Sequence, residues 1–278
     1  MTRSLSLLTA AVVSLAGLGA ASAADMAVKA RPMPVAVYNW TGCYIGVSAG
    51  AKGAYPSERA VIPGTSAGGI TTTTSVQDFG RDSNDDGTWL AGGQVGCNYQ
   101  AAGSPWVFGV EADAHAQHWA QSNYVQFFNN LFVPGDRFDM ASDWQASARG
   151  RIGYAFDRTL FYVTGGAAFT DVRATTTYIP FGIFPGTFTS QTKTLVGGTI
   201  GAGVEYAVTN NITLGMEGRY TQYESQRFNE NPLAVIAPPG AAVTFARVNT
   251  YRDIRLETGE ILFKANYKFG PGVVVAKY

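Results

Sequence analysis

Two stretches, Trp106–Gln117 and Trp144–Phe156, alternate so strictly that they decide what the chain can fold into. In the first, Trp106, Phe108, Val110, Ala112, Ala114 and Ala116 interleave with Glu111, Asp113, His115 and Gln117. In the second, Trp144, Ala146, Ala148, Gly150, Ile152, Tyr154 and Phe156 interleave with Gln145, Ser147, Arg149 and Arg151. A period of two belongs to extended strand, whose successive side chains point to opposite faces. Joined as a hairpin through a loop over 119–143, the strands would bring Glu111 and Asp113 to the depth of Arg151 and Arg149. A soluble barrel keeps apolar side chains inside and wets its outside. Here the apolar face is tipped with aromatics and the other face carries opposite charges, so the pattern predicts lipid outside and charge sealed in a lumen. The competing reading is a half-buried sheet with its polar face in water.

The N-terminal residues weigh against that alternative. Met1–Arg3 is a short positive start, Leu5–Ala20 is apolar and small, and Ala21-Ser-Ala23 has the A-x-A pattern of a cleavage site, so residues 1–23 read as a secretory signal. No later stretch approaches the roughly 20 apolar residues that a helical span needs. An exported chain of this kind enters a membrane as a closed barrel, which satisfies its backbone hydrogen bonds between its own strands. The composition agrees: 33 glycines, 14 tyrosines, 16 phenylalanines, 14% charged residues and a net charge of zero exclude the basic excess of a nucleic-acid binder. Residues 24–39, with Pro32 and Pro34, read as a periplasmic linker, 40–270 as the barrel and 271–278 as a tail.

Eight strands follow from the same alternation. Trp40–Gly50 turns Cys43, Ile45, Val47 and Ala49 out and Tyr44, Gly46, Ser48 and Gly50 in. Thr88–Gln100, the opening pair, Leu160–Asp171, Thr194–Val208, Ile212–Tyr223 and a last strand ending at Phe269 complete the set. Ala54–Gly87 shows no sustained pattern and reads as a loop. Leu256 and Glu257 break the phase of the last strand, which predicts a bulge or a strand start there. Long loops after odd strands and short turns after even ones predict an all-β, eight-stranded antiparallel up-and-down transmembrane β-barrel with both termini in the periplasm. Trp40, Tyr99, Trp106, Phe156, Phe161, Tyr206 and Phe269 are expected at the periplasmic rim, and Trp89, Trp119, Trp144, Phe169 and Tyr220 at the other, as two aromatic girdles.

Glu111, Asp113, Arg149, Arg151, Glu217, Arg219 and Lys264 fall inward at mid-depth and read as a self-neutralising charge network. An eight-stranded interior is only wide enough for side chains to fill it, and unpaired charges there would be costly. Cys43 and Cys97 face outward on neighbouring strands in an oxidising compartment. They are either a cross-strand disulfide or two lipid-facing thiols, depending on whether register brings their Cα atoms within about 7 Å. Asp82-Ser-Asn84-Asp-Asp86-Gly87 matches half of a calcium loop, but Gly93 stands where the bidentate glutamate belongs. His115 and His118, oddly spaced, go to opposite faces. No H-E-x-x-H or G-x-S-x-G occurs, so neither an enzyme activity nor a cofactor nor a metal is expected.

Trp40-Thr-Gly-Cys-Tyr-Ile-Gly, Gly92-Gly-Gln-Val-Gly-Cys-Asn-Tyr-Gln, Thr164-Gly-Gly and Asn266-Tyr-Lys-Phe-Gly together resemble the porin-family outer-membrane immunogenic proteins, which are related in fold to the opacity-type and OmpA-like barrels. The resemblance implies an abundant, surface-exposed barrel in a Gram-negative outer membrane, with envelope-stabilising or weak porin roles. Cys43 and Cys97 depart from it, standing where the family has aromatics. The expected function is structural or surface-interactive, with the lumen plugged; a low-conductance porin and an adhesin or receptor acting through the loops are the alternatives. Expected partners are outer-membrane lipid and lipopolysaccharide, the outer-membrane assembly machinery, which reads a terminal aromatic such as Tyr278, and an extracellular ligand of the loops. Nucleic acid is not among them.

Overall fold

The computed structural model describes residues 37–64, 66–67, 70–71, 74–81, 87–127, 132–180, 186–230, 233–235, 246–248, 250–270 and 273–274. The expected signal segment, most of the linker, Asp82–Asp86 and much of the tail lie outside the described residues. Eight antiparallel strands close a ring: β1 (Gly42–Ile62), β2 (Thr88–Gln100), β3 (Trp106–Tyr124), β4 (Arg137–Phe156), β5 (Thr159–Tyr178), β6 (Thr187–Ala207), β7 (Ile212–Tyr223) and β8 (Tyr251–Lys268). Each pairs with the next, and β8 pairs with β1 from Tyr251↔Val61 to Lys268↔Tyr44. Two short segments extend the sheet, Ser75–Arg81 alongside β1 and Gln226–Asn229 alongside β8. The periplasmic turns are tight: Asp157, at φ 50°, makes the β4–β5 corner in the positive-φ region that two-residue hairpins require and that aspartate tolerates.

The strands run further outward than the alternation of polarity suggested. β1 has 21 residues; at about 3.3 Å per residue and a tilt of about 40°, such a strand rises about 53 Å, twice the roughly 25 Å apolar band of an outer-membrane barrel. Ala54–Gly87 is therefore not a patternless loop, since it contains the upper part of β1 and the segment Ser75–Arg81. The β3–β4 connection is likewise 125–136 instead of 119–143, and Glu111 lies opposite Arg149 instead of Arg151. The physical reason is an inversion. Below the outer girdle apolar side chains point to lipid; above it Ala54, Ala60 and Ile62 of β1, Phe138 and Met140 of β4, Val172 and Ala174 of β5, and Ile254 and Leu256 of β8 are buried inside.

Leu256 and Glu257 thus mark that inversion and no bulge. β8 keeps a continuous register with β1 through them, and Leu256 is buried. The larger irregularity lies elsewhere. Two residues of β3, Gln117 and His118, oppose the single Asp143 of β4 between the pairs Ala116↔Trp144 and Trp119↔Ser142. Asp171 of β5 caps this bulge, accepting hydrogen bonds from the amides of Asp143 at 2.9 Å and Trp144 at 3.0 Å. Above it the ring parts. Among the described residues no pairing joins Ser75–Arg81 to β3 or Gln226–Asn229 to β6, so two four-stranded sheets face each other across an apolar filling.

Candidate functional site

The lumen is filled in layers. At the periplasmic mouth Tyr38, Trp40, Val107, Leu160, Tyr162 and Ala207 form an apolar floor. This corrects the placement of Trp40 in the girdle. It is 1% exposed because the chain before β1 folds back under the ring, where the Trp40 amide donates to Gln100 Oε1 at 2.9 Å. Val37–Tyr38 pairs antiparallel with Val273–Val274, so the tail turns at Gly270, φ 106°, and closes back beneath the barrel instead of prolonging β8. The Lys268 ammonium lies 4.1 Å from the Tyr38 ring centroid.

Above this floor is the charge layer. Glu111, Asp113, Glu205, Glu217 and Glu260 stand against Lys52, Arg149, Arg151, Arg219 and Lys264, five of each sign and all buried except for a few per cent of their surface. Arg149 is the hub: its guanidinium reaches Glu111 at 2.6 Å, Asp113 at 2.8 Å and, through Nη1, Glu217. Lys264 joins Glu111 at 2.6 Å to Glu217 at 3.1 Å. Arg151 reaches Glu205 at 2.8 Å, and Arg219 lies between Asp113 at 3.1 Å and Glu260 at 3.0 Å. Two tyrosines complete the hydrogen bonding, Tyr44 donating to Glu111 at 2.6 Å and Tyr162 to Glu217 at 2.8 Å.

The phenol end of each of these side chains packs against an inward glycine. A Cβ on Gly96 would come 2.5 Å from Tyr44 Cζ, and one on Gly203 would come 2.6 Å from Tyr162 Cζ. Only glycine admits the ring at that approach.

All seven charges anticipated from the alternation meet in this layer. Sequence reasoning missed Lys52, Glu205, Glu260, Tyr44 and Tyr162 as members, although the strand phase was available: Lys52 and Tyr44 share the parity of Gly50, Glu260 that of Lys264, Tyr162 lies between the outward Phe161 and Val163, and Glu205 between the outward Val204 and Tyr206. Beside the layer, Ser48 Oγ lies 2.8 Å from His115 Nε2, and His115 Nδ1 lies 3.1 Å from Asp113 Oδ1. That Ser–His–Asp chain is buried in packed lumen and links β1 to β3. His118 is exposed beside Asp143. Among the described residues no cluster of metal-ligand type occurs.

Over the charge layer lies an apolar layer of Trp119, Met140, Leu195, Tyr223, Phe228, Ile254 and Leu256 with smaller residues. Trp119 is therefore luminal and not a girdle residue. Its parity is that of Glu111 and Asp113, which turns it into the lumen, and at its height the lumen is apolar. A second polar knot follows, in which Arg252 pairs with Glu58 at 2.9 Å and Glu230 at 3.5 Å, and Tyr178 donates to Glu230 at 2.6 Å. Burial, only partly offset by Arg252, raises the Glu58 carboxyl above its ordinary range; burial likewise raises that of Asp136, which caps Val133 and Ile179. Val125, Phe132, Phe138 and Tyr178 with Ala60 and Ile62 form the outermost apolar layer.

The outer surface has the two girdles. Tyr99, Trp106, Phe156, Phe161, Tyr206 and Phe269 point outward at the periplasmic rim, and Trp89, Trp144 and Tyr220 at the other, where Phe169 is half-buried. Cys43 and Cys97 are cross-strand partners in a disulfide on this outer face, with Cα atoms 3.9 Å apart.

Residues 10–269 match the family described as outer membrane protein beta-barrel domain. The chain is 33% identical over 157 residues to a 22 kDa outer membrane protein of Rhizobium leguminosarum bv. viciae, a match spanning 56% of this chain and 63% of that relative. It is 31% identical over 219 residues to the 31 kDa outer-membrane immunogenic protein of Brucella suis, covering 76% of this chain and 85% of that one. In fold it is similar to the outer membrane protein OprG of Pseudomonas aeruginosa, at 11% identity and TM-score 0.42 over 83% of this chain and 97% of that one. It is also similar to the attachment invasion locus protein of Yersinia pestis, at 13% identity and TM-score 0.34 over 82% and 99%.

Proposed function

Since the chain belongs to the outer-membrane β-barrel family and resides in the Gram-negative outer membrane, we propose that it works as a closed barrel, non-enzymatic, that stabilises the envelope and presents its outer half to the surroundings. The observation that carries this reading is the filling of the lumen by alternating layers: the apolar floor, the neutral charge layer, the apolar layer above it, the Arg252 knot and the outermost apolar layer. An ion crossing it would have to shed its hydration in three apolar layers, at a cost of several kcal/mol or more in each. The Ser48–His115–Asp113 chain supports no hydrolytic role, since its serine is buried among packed side chains where a substrate would have no room. Single-channel recording of the refolded protein in planar bilayers tests closure. Silence beside an open-pore control is the expected result; steady conductance would overturn it and make a low-conductance porin the leading reading.

A further inference from the structure

Where the ring parts, β3 is left with an open edge. On one side it keeps β4 as far as Tyr124↔Arg137, but on the other its pairing with β2 ends at Gln117↔Leu90, because β2 starts at Thr88. The bulge at Gln117–His118 sits where that pairing stops, and a bulge bends its strand. Val125 donates to the Asp136 carbonyl at 3.0 Å and accepts from the Gly135 amide at 2.9 Å, so its main chain faces β4. By the alternation of an antiparallel strand, Trp119, Gln121 and Asn123 face β4 as well, whereas the amides and carbonyls of Ala120, Ser122 and Tyr124 face the parting. His118 shares their parity, and its carbonyl accepts from Thr88 Oγ1 at 2.6 Å. Above that bond, among the described residues, the main-chain groups of Ala120, Ser122 and Tyr124 have no partner on this side.

We infer that this edge takes an extended segment of another polypeptide, which adds to β3 as an antiparallel strand. The open stretch from His118 to Tyr124 is about 20 Å long, the length of an ordinary strand. It contains neither the lysine nor the proline that commonly blunts an exposed edge. The parting beside β6 is guarded in that way, since the Lys193 ammonium donates across it to the Arg227 carbonyl. Gln121, on the inward face of the open stretch and 8% exposed, has no acceptor for its buried Nε2. An inward Asn, Gln, Ser or Thr of the added strand would stand beside it and supply one, where an apolar residue would leave the donor buried and unmatched. Tyr124 and Phe127, at the outer end, are 53% and 79% exposed. Tyr124 lies eight residues beyond Ala116, the partner of the girdle residue Trp144, which at about 3.3 Å per residue and about 40° tilt is about 20 Å above the lipid boundary. Both rings therefore meet the medium, where aromatics favour a protein partner. A second copy in the same membrane would bring its β3 in the same direction, and parallel pairing is the less stable. The inference rests on the surface-presenting reading above and deepens it by naming the class of partner.

The test follows amide exchange by NMR in the refolded full barrel in detergent, alone and with the end-blocked peptide Thr-Val-Thr-Gln-Thr-Val-Thr, whose Val-Gln-Val face is meant for the inside. Without peptide, the amides of Ala120, Ser122 and Tyr124 are expected to exchange at least tenfold faster than those of Gln121 and Asn123, which are bonded to β4. Peptide should slow the first set at least tenfold and leave the second unchanged, an alternation that a side-chain contact would not produce. N-methylation of the peptide's threonines, whose N–H groups would face β3, should weaken binding at least tenfold. Ser122→Pro removes an amide that nothing in the barrel uses and that an edge position tolerates losing; it should fold, as gel mobility without boiling reports, and bind the peptide at least tenfold more weakly. If that variant does not fold, the exchange pattern and the methylated peptide decide. Edge amides already protected in the free barrel, protection that grows with barrel concentration alone and so marks a second copy, no slowing at millimolar peptide, or equal binding by Ser122→Pro would each overturn the inference. A barrel silent in bilayers that gives any of these results would do so while leaving the closed-barrel reading intact.

Discussion

Arg149→Ala removes the guanidinium that three carboxylates share, and its cost follows from the charge balance of the layer. The five cations become four while Glu111, Asp113 and Glu217 stay buried in place. Breaking a buried pair by deleting one partner typically costs about 3–5 kcal/mol. The structure sets a ceiling within that range, because neutrality returns once a single carboxyl takes up a proton. For a glutamate of ordinary pKa near 4.3, that uptake at pH 7 costs about 3.7 kcal/mol, at about 1.36 kcal/mol per pH unit. The same reasoning sets the pH dependence. The variant binds one more proton folded than unfolded, so its deficit relative to wild type shrinks as pH falls, to about 1 kcal/mol at pH 5. Reversible urea unfolding in lipid vesicles, followed by gel mobility and tryptophan emission at pH 5 and pH 7, measures both quantities. A deficit below about 1 kcal/mol at pH 7, or one that does not change with pH, would refute the idea that electroneutrality holds this layer together.

Other expectations are as direct. Asp171→Ala uncaps the β3–β4 bulge, and with hydrogen bonds to a charged group worth about 1.5–3 kcal/mol, amide exchange at Asp143 and Trp144 should quicken about a hundredfold while the periplasmic half is unchanged. Glu58, raised by burial, takes up a proton on folding between its unfolded and folded pKa values. The outer half should therefore be most stable at or below the ordinary glutamate range and lose stability as pH rises through the folded value. Glu58→Gln should flatten that fall, and a steeper one in the variant would contradict the assignment. Cys43→Ser/Cys97→Ser opens a cross-link with a sequence separation of 54, for which chain entropy allows a loss of at most about 4 kcal/mol; urea midpoints with unchanged slope would report it, and no shift at all would mean that ring closure already imposes the constraint.

The membrane-spanning half was legible because lipid and lumen demand opposite chemistry at successive residues, so parity alone placed Glu111, Arg149, Glu217 and Lys264 inside. The outer half was legible in period but not in polarity. Water outside and packing inside invert the pattern at Trp144, and a reader who keeps the lipid rule sees Leu256 as a phase error and Trp119 as a girdle residue. Trp40 was misplaced for a different reason: no periodicity reports that a segment before the first strand folds under the ring. Register was the remaining gap. It is set by the bulge at Gln117–His118 and its cap from Asp171, a contact between strands that no single stretch of sequence announces.

The equal numbers of opposite charges in the middle layer have an electrical consequence. A field across the membrane does about 2.3 kcal/mol of work for each elementary charge carried through 100 mV. Ten charges that sum to zero and are tied to one another present that field with no net charge to pull. With no net charge in that layer, an applied potential in a bilayer recording should leave Arg149 paired with its three carboxylates.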